Sequence, residues 1–375
     1  MPNIAVFSRG YNVSARVATV PEPSTYALAV VGLVTGCLSV LRRKRRYVAF
    51  QRVIFSALML MAATMDACSR EASADPILFM KNFNTSTYKS QILRFDATTG
   101  TSLGNFLVDY DGAFIGGYTF GPDGNLYISD FNGLKINRYS GATGAFIDTF
   151  TTVTYSSPYQ PLFGPDGNLY IGQATGRITK YDGATGQYLG VFVSPPNGAF
   201  DFGGMAFRGG NLYVSYIGSS GSLYRYDAAT GGSGQQVYAG FFSNGPRVPV
   251  FDERGTIYVP DWQTNKIYKF DEATLALTGT ITTASGISPL SLAFDQTGDL
   301  LVLSDNGSQS QVNRYDPTTG VLLGTLVAPG AGGLGRANNM AFVVPEPSTC
   351  VLTAAGLACF GWAALRQRNR RTTHR

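Results

Sequence analysis

Between Asp75 and Val343 the chain has no cysteine and no histidine; Cys37, Cys68, Cys350, Cys359 and His374 all lie outside that stretch. Without a thiol or an imidazole it cannot build a Ser-His-Asp or Cys-His nucleophile. Zinc on His or Cys ligands is excluded for the same reason, and no disulfide can brace the fold. Glutamate is scarce too, with Glu253 and Glu272 alone. Basic blocks are missing. The stretch carries 15 Lys/Arg against 20 Asp/Glu, so the +5 of the whole chain comes from its flanks. A mildly acidic domain of this kind is not built for nucleic acid. Long helical periodicities are absent, whereas Gly, Tyr, Phe and Thr abound, which favours short strands and tight turns. About 270 residues can bury a core large enough to stand without disulfides.

Self-comparison shows six repeats. The first landmark is a phenylalanine: Phe120, Phe163, Phe207, Phe251, Phe294 and Phe342. A Gly-containing turn and a short apolar strand follow, as in Gly121-Pro122-Asp123-Gly124 before Asn125-Leu126-Tyr127-Ile128. A basic residue before an aromatic comes next, at Arg94, Arg138, Lys180, Arg225, Lys269 and Arg314. Five of the six lead into Asp (96, 182, 227, 271 and 316), usually ahead of a Thr-Gly turn and a fourth strand such as 145–150 or 188–192. Asp-Gly and Thr-Gly pairs supply the positive φ that tight hairpins need. Each unit reads as a four-stranded meander, apolar on both faces, and a ring of such sheets buries both faces where one cannot. The expected fold is all-β: a six-bladed β-propeller of four-stranded antiparallel blades, spanning 75–344 and flanked by targeting helices. The first unit lacks its leading strand and the last Phe strand, 338–344, is left over. It is expected to pair with 77–83, closing the ring and removing its edges.

Gly124-Asn125-Leu126-Tyr127-Ile128-Ser129-Asp130 followed by Lys135-Ile136-Asn137-Arg138-Tyr139 resembles an NHL repeat, and less closely the gluconolactonase and streptogramin-lyase propellers. The streptogramin-lyase-like members use a catalytic histidine that this domain lacks. The gluconolactonase resemblance leaves open a metal-dependent hydrolase with a divalent cation such as calcium on oxygen ligands. No catalytic residue and no metal ligand is assigned. Asp130, Asp261 and Asp305 close second strands and read as turn residues. The five Asp before the Thr-Gly turns read as Asx turns. The six basic residues read as stems packed between blades with heads paired to Asp.

The flanks carry an address. Val344-Pro345-Glu346-Pro347-Ser348, an uncharged apolar run over 349–365, then Arg366, Arg368, Arg370 and Arg371 make a motif, a span and a basic cluster. The run is at the short end of the roughly 17–25 residues that cross a bilayer. The arginines belong on the cytoplasmic side. The two prolines hold the motif extended. This resembles the PEP-CTERM sorting signal. The resemblance implies export in a Gram-negative-type bacterium, transient anchoring in the membrane, and removal of the tail by an exosortase. A second copy runs from Val20-Pro21-Glu22-Pro23-Ser24 to Arg42-Arg43-Lys44-Arg45-Arg46. Residues 47–74 then read as a secretory signal peptide with a small-residue site at Ala72-Ser73-Ala74. Residues 1–46 read as a fused neighbour or a misplaced start; the rival reading makes 26–41 and 53–65 a membrane hairpin.

The segments 194–201 and 232–247 depart furthest from the repeat, and repeat-breaking loops are where specificity is placed. Phe241, Phe242 and Arg247 within the second segment, and Trp262, one of the chain's two tryptophans and next after Asp261, are the candidate ligand-binding residues. The expected function is a non-catalytic, surface-displayed module that binds extracellular polysaccharide or another surface protein in a biofilm matrix.

Overall fold

The computed structural model describes residues 4–6, 75–84, 89–107, 110, 114–196, 201–218, 221–239, 245–283 and 287–345. Six antiparallel sheets form a six-bladed β-propeller. Blade one takes Arg336–Pro345, Ile77–Asn84, Lys89–Asp96 and Ser102–Leu107, in that order. Blade two is Ile115–Phe120, Leu126–Asp130, Lys135–Tyr139 and Phe146–Thr152. Blade three is Pro158–Phe163, Leu169–Gln173, Ile178–Tyr181 and Tyr188–Val193. Blade four is Asp201–Arg208, Asn211–Ile217, Ser222–Asp227 and Gly231–Ala239. Blade five is Val250–Phe251, Thr256–Asp261, Lys266–Asp271 and Leu277–Thr282, and blade six Ser288–Phe294, Leu300–Asp305, Ser310–Tyr315 and Leu322–Val327. Among the described residues the one helical element is the single turn Ala331–Gly333, and no helix is long and apolar enough to cross a membrane. The expected targeting helices, including the span 349–365, lie outside the described residues.

The six phenylalanines hold one register. Phe120 pairs with Leu126, Phe163 with Leu169, Phe207 with Leu212, Phe251 with Ile257 and Phe294 with Leu300. In blade one the pair is Phe342 with Leu78, 264 positions apart in the chain, so the C-terminal strand does for the first blade what a hairpin does for the others. The core follows the ring. Six apolar clusters lie one at each blade junction, for example Tyr170, Ile178, Phe207 and Leu212 between blades three and four. Leu78, Met80, Phe95, Leu301 and Val312 fill the junction of blades one and six. Hydrogen bonds cross the same junctions: Gln160 Nε2 donates to Met205 O at 3.1 Å while its Oε1 accepts from Met205 N at 2.9 Å.

Blade packing needs several residues to have no side chain, Gly172 among them. Gly172, buried in blade three, lies against the Phe202 ring of blade four, and a Cβ there would come within 2.2 Å of a ring carbon. Gly172→Val is expected to cost about 1–3 kcal/mol through overpacking. At roughly 2–4 °C per kcal/mol this lowers the melting temperature measurably. An unchanged melting curve would show that the two blades are not in this contact.

The structure corrects several expected boundaries. The closing strand is Arg336–Pro345 rather than 338–344, so Val344 and Pro345 of the sorting motif belong to the sheet. The fourth strand of blade two is Phe146–Thr152 rather than 145–150, because a bulge between Ile136 and Asn137 lets pairing continue to Lys135 with Thr152. Fourth strands are not apolar on two buried faces. They form the outer rim, where Phe146, Leu189, Leu322 and Leu323 are half or more exposed. One strand was not expected: Ile4–Val6 pairs with Val343–Pro345 on the edge of the closing strand away from Ile77–Asn84. An innermost strand has such an edge because nothing in its own blade covers it.

Antiparallel order sorts the connections between two faces. The turns joining first to second and third to fourth strands share one face; among these are the Gly-Pro-Asp-Gly and Asp-x-x-Thr-Gly turns. The second-to-third hairpins and the blade-to-blade connections share the other. Asp75 enters and Pro345 leaves on the turn face, since Ile77 is opposite Val343 in the sheet. Of the segment 232–247 expected to break the repeat, 232–239 belongs instead to the fourth strand Gly231–Ala239; the chain leaves this strand, and Tyr188–Val193, on the opposite face.

Candidate functional site

The turn face is occupied by its own structure. Asp96, Asp182, Asp227, Asp271 and Asp316 each accept backbone N–H bonds from the following turn, as in Asp182 Oδ1 from Ala184 N and Thr185 N at 3.0 and 2.7 Å. Those bonds hold their carboxyls below the usual range; for Asp182 the Thr185 hydroxyl contributes most. Half of the basic row pairs with Asp as the sequence suggests, while Arg94, Arg225 and Lys269 donate instead to Leu103 O, Gln235 Oε1 and the carbonyls of Pro317 and Thr318. Lys180 is 2.9 Å from Asp166, Arg314 is 3.2 Å from Asp295, and Arg138 bonds Asp148. Burial would raise Asp166, but bonds from Lys180, Asn168 and Tyr170 outweigh it and bring the carboxyl down to about 2. Guanidinium heads lie over rings, with Arg94 Cζ 5.5 Å from the Phe106 centroid and Arg138 Cζ 5.4 Å from that of Phe150. Asp130 and Asp305 accept the N–H of Gly133 and Gly307, which are turn roles.

The opposite face holds a groove of about 480 Å³ lined by Tyr159, Asp201, Ile217, Gly218, Arg247, Trp262 and Gln263. Three blades contribute. Tyr159 comes from the first strand of blade three, Asp201 and Ile217 from blade four, Trp262 from the hairpin after Thr256–Asp261 in blade five. Arg247 lies in the connection between blades four and five, and its backbone is fixed from both sides. Its N–H donates to Pro260 O at 2.9 Å and its carbonyl accepts from Ser215 Oγ at 2.8 Å. The loop passes so close to blade five that a Cβ on Gly245 would lie 1.8 Å from Asp261 Oδ1. The backbone N–H of Trp262 closes the arrangement on Gly245 O at 3.3 Å. Arg247 Cζ then sits 5.9 Å from the Trp262 ring centroid.

Two cations share this end of the ring. Arg247 Nε and Trp262 Nε1 are sealed from solvent, with no hydrogen-bond partner among the described residues. Burial pushes the guanidinium below its usual pKa, countered by Tyr159, Asp201 and Asp261. Lys81 is buried in the second strand of blade one; its ammonium donates to Ile115 O at 2.6 Å and Gly116 O at 3.1 Å. Burial first, and Arg247 second, lower it to about 7. Phe114, 4.9 Å from the ammonium, continues through Phe131 to Tyr159 at ring separations of 5.4 and 5.1 Å. Burial raises the carboxyl of Asp201, opposed by the Phe202 N–H and Arg247. Asp261 is also raised by burial, and both its oxygens are used, by Gln263 N at 3.1 Å and the Thr264 hydroxyl at 2.6 Å.

Of the four expected ligand-binding residues, Trp262 and Arg247 come together in the groove, while Phe241 and Phe242 lie outside the described residues. Phe202, next to Asp201, is core. Lys81, Asp201 and Gln263 were not anticipated. Lys81 left a trace, being a lysine inside an apolar strand where blades two to six carry Ser129, Gly172, Ser215, Pro260 and Leu303. Val344 and Pro345 sit in the closing strand, and Glu346 to Arg371 lie outside the described residues. Among the described residues no three His, Cys, Asp or Glu side chains are grouped to hold a metal.

Fold and sequence together define a six-bladed β-propeller carrying a PEP-CTERM protein-sorting motif. The family of that description matches residues 19–46, the N-terminal of the two copies. The motif implies an exported, surface-associated protein processed by an exosortase. No curated protein matches the chain. Among solved structures, the crystal structure of a nidogen/laminin complex is similar, at 16% identity over 72% of this chain and 98% of that one, TM-score 0.57. A protein of unknown function from Bacteroides caccae is similar at 13% identity over 72% and 99%, TM-score 0.54. At these identities the likeness concerns the fold.

Proposed function

We propose that the ring is a non-catalytic binding module of the extracellular polysaccharide matrix, holding its ligand in the groove between blades three, four and five. In this reading the C-terminal copy of the sorting motif, Val344 to Ser348 with Arg366, Arg368, Arg370 and Arg371, is the exosortase substrate. The observation that carries it is the pairing of Trp262 and Tyr159 with Arg247 on the face opposite Pro345. Aromatic faces stack on the apolar face of a sugar, and a groove on that side points away from the anchored end. Sites for small ligands commonly measure roughly 300–1,000 Å³ with a few convergent polar groups, and the groove fits that description.

The test is binding of the purified protein to the extracellular polysaccharide of its source cells, with and without EDTA. Saturable binding is expected, and Trp262→Ala should weaken it by about 30-fold, as loss of a central aromatic anchor does. Binding that ignores Trp262→Ala would move the site elsewhere. Loss with EDTA, together with turnover of a sugar lactone, would favour the gluconolactonase-like hydrolase instead.

A further inference from the structure

We infer that the groove selects a carboxylated sugar, a uronic-acid residue of an acidic polysaccharide; this rests on reading the groove as a saccharide site. Most of the chain's conspicuous cations are met within the fold, Arg94, Arg225 and Lys269 by carbonyl or amide oxygens and others by carboxylates. Arg138, Lys180, Arg208, Arg314 and Arg336 each lie within 4.0 Å of a carboxylate. Arg247 forms no ion pair of that kind among the described residues; its Nε is sealed without an acceptor, as are those of Arg94 and Arg177, and of these three Arg247 is the one that lines the groove. A donor so placed is expensive to leave unmet, and a guanidinium is met best by a planar carboxylate in two parallel bonds. Lys81 adds a second positive charge nearby, close enough for Arg247 to depress its proton affinity.

The groove's acids decide what the rest of that ligand must be. Asp261 is turned inward, both oxygens taken by its own hairpin. Asp201 lines the groove with one oxygen held by the Phe202 N–H at 2.8 Å, leaving acceptor capacity on the carboxylate. A simple anion would be repelled by Asp201 and gain nothing from it. A uronate offers the carboxylate for Arg247, hydroxyls that donate to Asp201, and a C–H face for Trp262 and Tyr159. Gln263, exposed at the rim, can bond a ring oxygen or hydroxyl.

The experiment measures binding of oligomeric galacturonate, glucuronate and mannuronate, each beside its methyl ester, to the purified wild-type protein, Arg247→Gln and Trp262→Ala. At least one acid oligomer is expected to bind at least about tenfold more tightly than its ester, the ratio expected for one charge-assisted pair. Arg247→Gln should bring acid and ester to equal affinity with an unchanged melting curve. If acid and ester bind equally well and only Trp262→Ala weakens them, the carboxylate preference is wrong and the saccharide reading stands. An acid preference that survives Arg247→Gln is surface electrostatics and overturns the inference. If none of the oligomers binds while the cells' own polysaccharide does, uronate selection falls alone. If neither binds, both readings fall.

Discussion

Deleting the closing strand Arg336–Pro345 is expected to abolish the folded ring, leaving a protein that aggregates rather than one with five sound blades. The strand buries Ala337, Met340, Phe342 and Val343 at 6% exposure or less. At about 1.5–3 kcal/mol for each large side chain, three of them supply a sum comparable to the roughly 5–15 kcal/mol that holds a domain together. Polar contacts are lost as well. Ser310 Oγ donates to Ala337 O at 3.1 Å and accepts from its N–H at 2.8 Å, tying blade six to blade one. The deletion also strips one edge of Ile77–Asn84, a buried apolar strand that would then be free to pair with another molecule. Phe342→Ala is the graded form, expected to cost about 3–5 kcal/mol. A rescue separates topology from composition. Because Phe342 is opposite Leu78 just as Phe120 is opposite Leu126, the strand can be moved ahead of Asp75 and joined to it by Gly-Pro-Asp-Gly. Size-exclusion and thermal unfolding should show the deletion aggregated and the permuted chain monomeric with a melting transition near that of the wild type. A soluble, cooperatively melting deletion would mean that closure contributes little.

The ring was legible because its determinants are local and repeated. Phe120, Phe163, Phe207, Phe251, Phe294 and Phe342 mark one register position six times over, and the unpaired first and last units say how the ends meet. The Asp of each Thr-Gly turn is likewise a local device, whose partners sit two or three residues on. The groove is a different kind of object. Lys81, Tyr159, Asp201, Arg247 and Trp262 occupy four blades, and only the closed ring brings them to one end. Sequence could point at Arg247 because it lies in a connection that breaks the repeat, and at Trp262 because it is one of two tryptophans and follows Asp261. It could not bring Arg247 and Asp201 into one groove, because that depends on how far each first strand approaches its neighbour. Glycines set that distance: a Cβ on Gly203 would lie 2.4 Å from Pro246 O, and one on Gly116 would lie 2.1 Å from Pro158 O. Strand ends were misjudged for a related reason. Bulges shift the register of first and third strands, as between Phe202 and Gly204, and periodicity alone does not show where they fall.

Lys81→Met is expected to stabilise the protein at neutral pH and to remove part of the stability's dependence on pH. Lys81 is 5% exposed, and no carboxylate pairs with it among the described residues. Burial, and Arg247 after it, bring its pKa from 10.5 down to about 7. A gap of that size corresponds to something on the order of 4–5 kcal/mol between the folded and unfolded ammonium. The two carbonyl bonds it donates return part of this. The net gain from methionine, which keeps the unbranched stem, should therefore be about 1–4 kcal/mol, the range for apolar replacement of buried charge. The sign follows from proton counting. Between pH 7 and about 10.5 the unfolded chain holds the proton that the folded chain has lost, so wild-type stability rises with pH across that window. Below pH 7 both states are charged and the full cost remains. Urea unfolding of wild type and Lys81→Met at pH 6.5 and 9.5 should show the variant ahead at the lower pH and the difference shrinking at the higher. A variant less stable at both pH values would mean that the Ile115 and Gly116 carbonyls repay the charge in full. If the variant is more stable yet binds acid oligomers less well, the buried lysine is retained for the groove's positive potential at the expense of the ring.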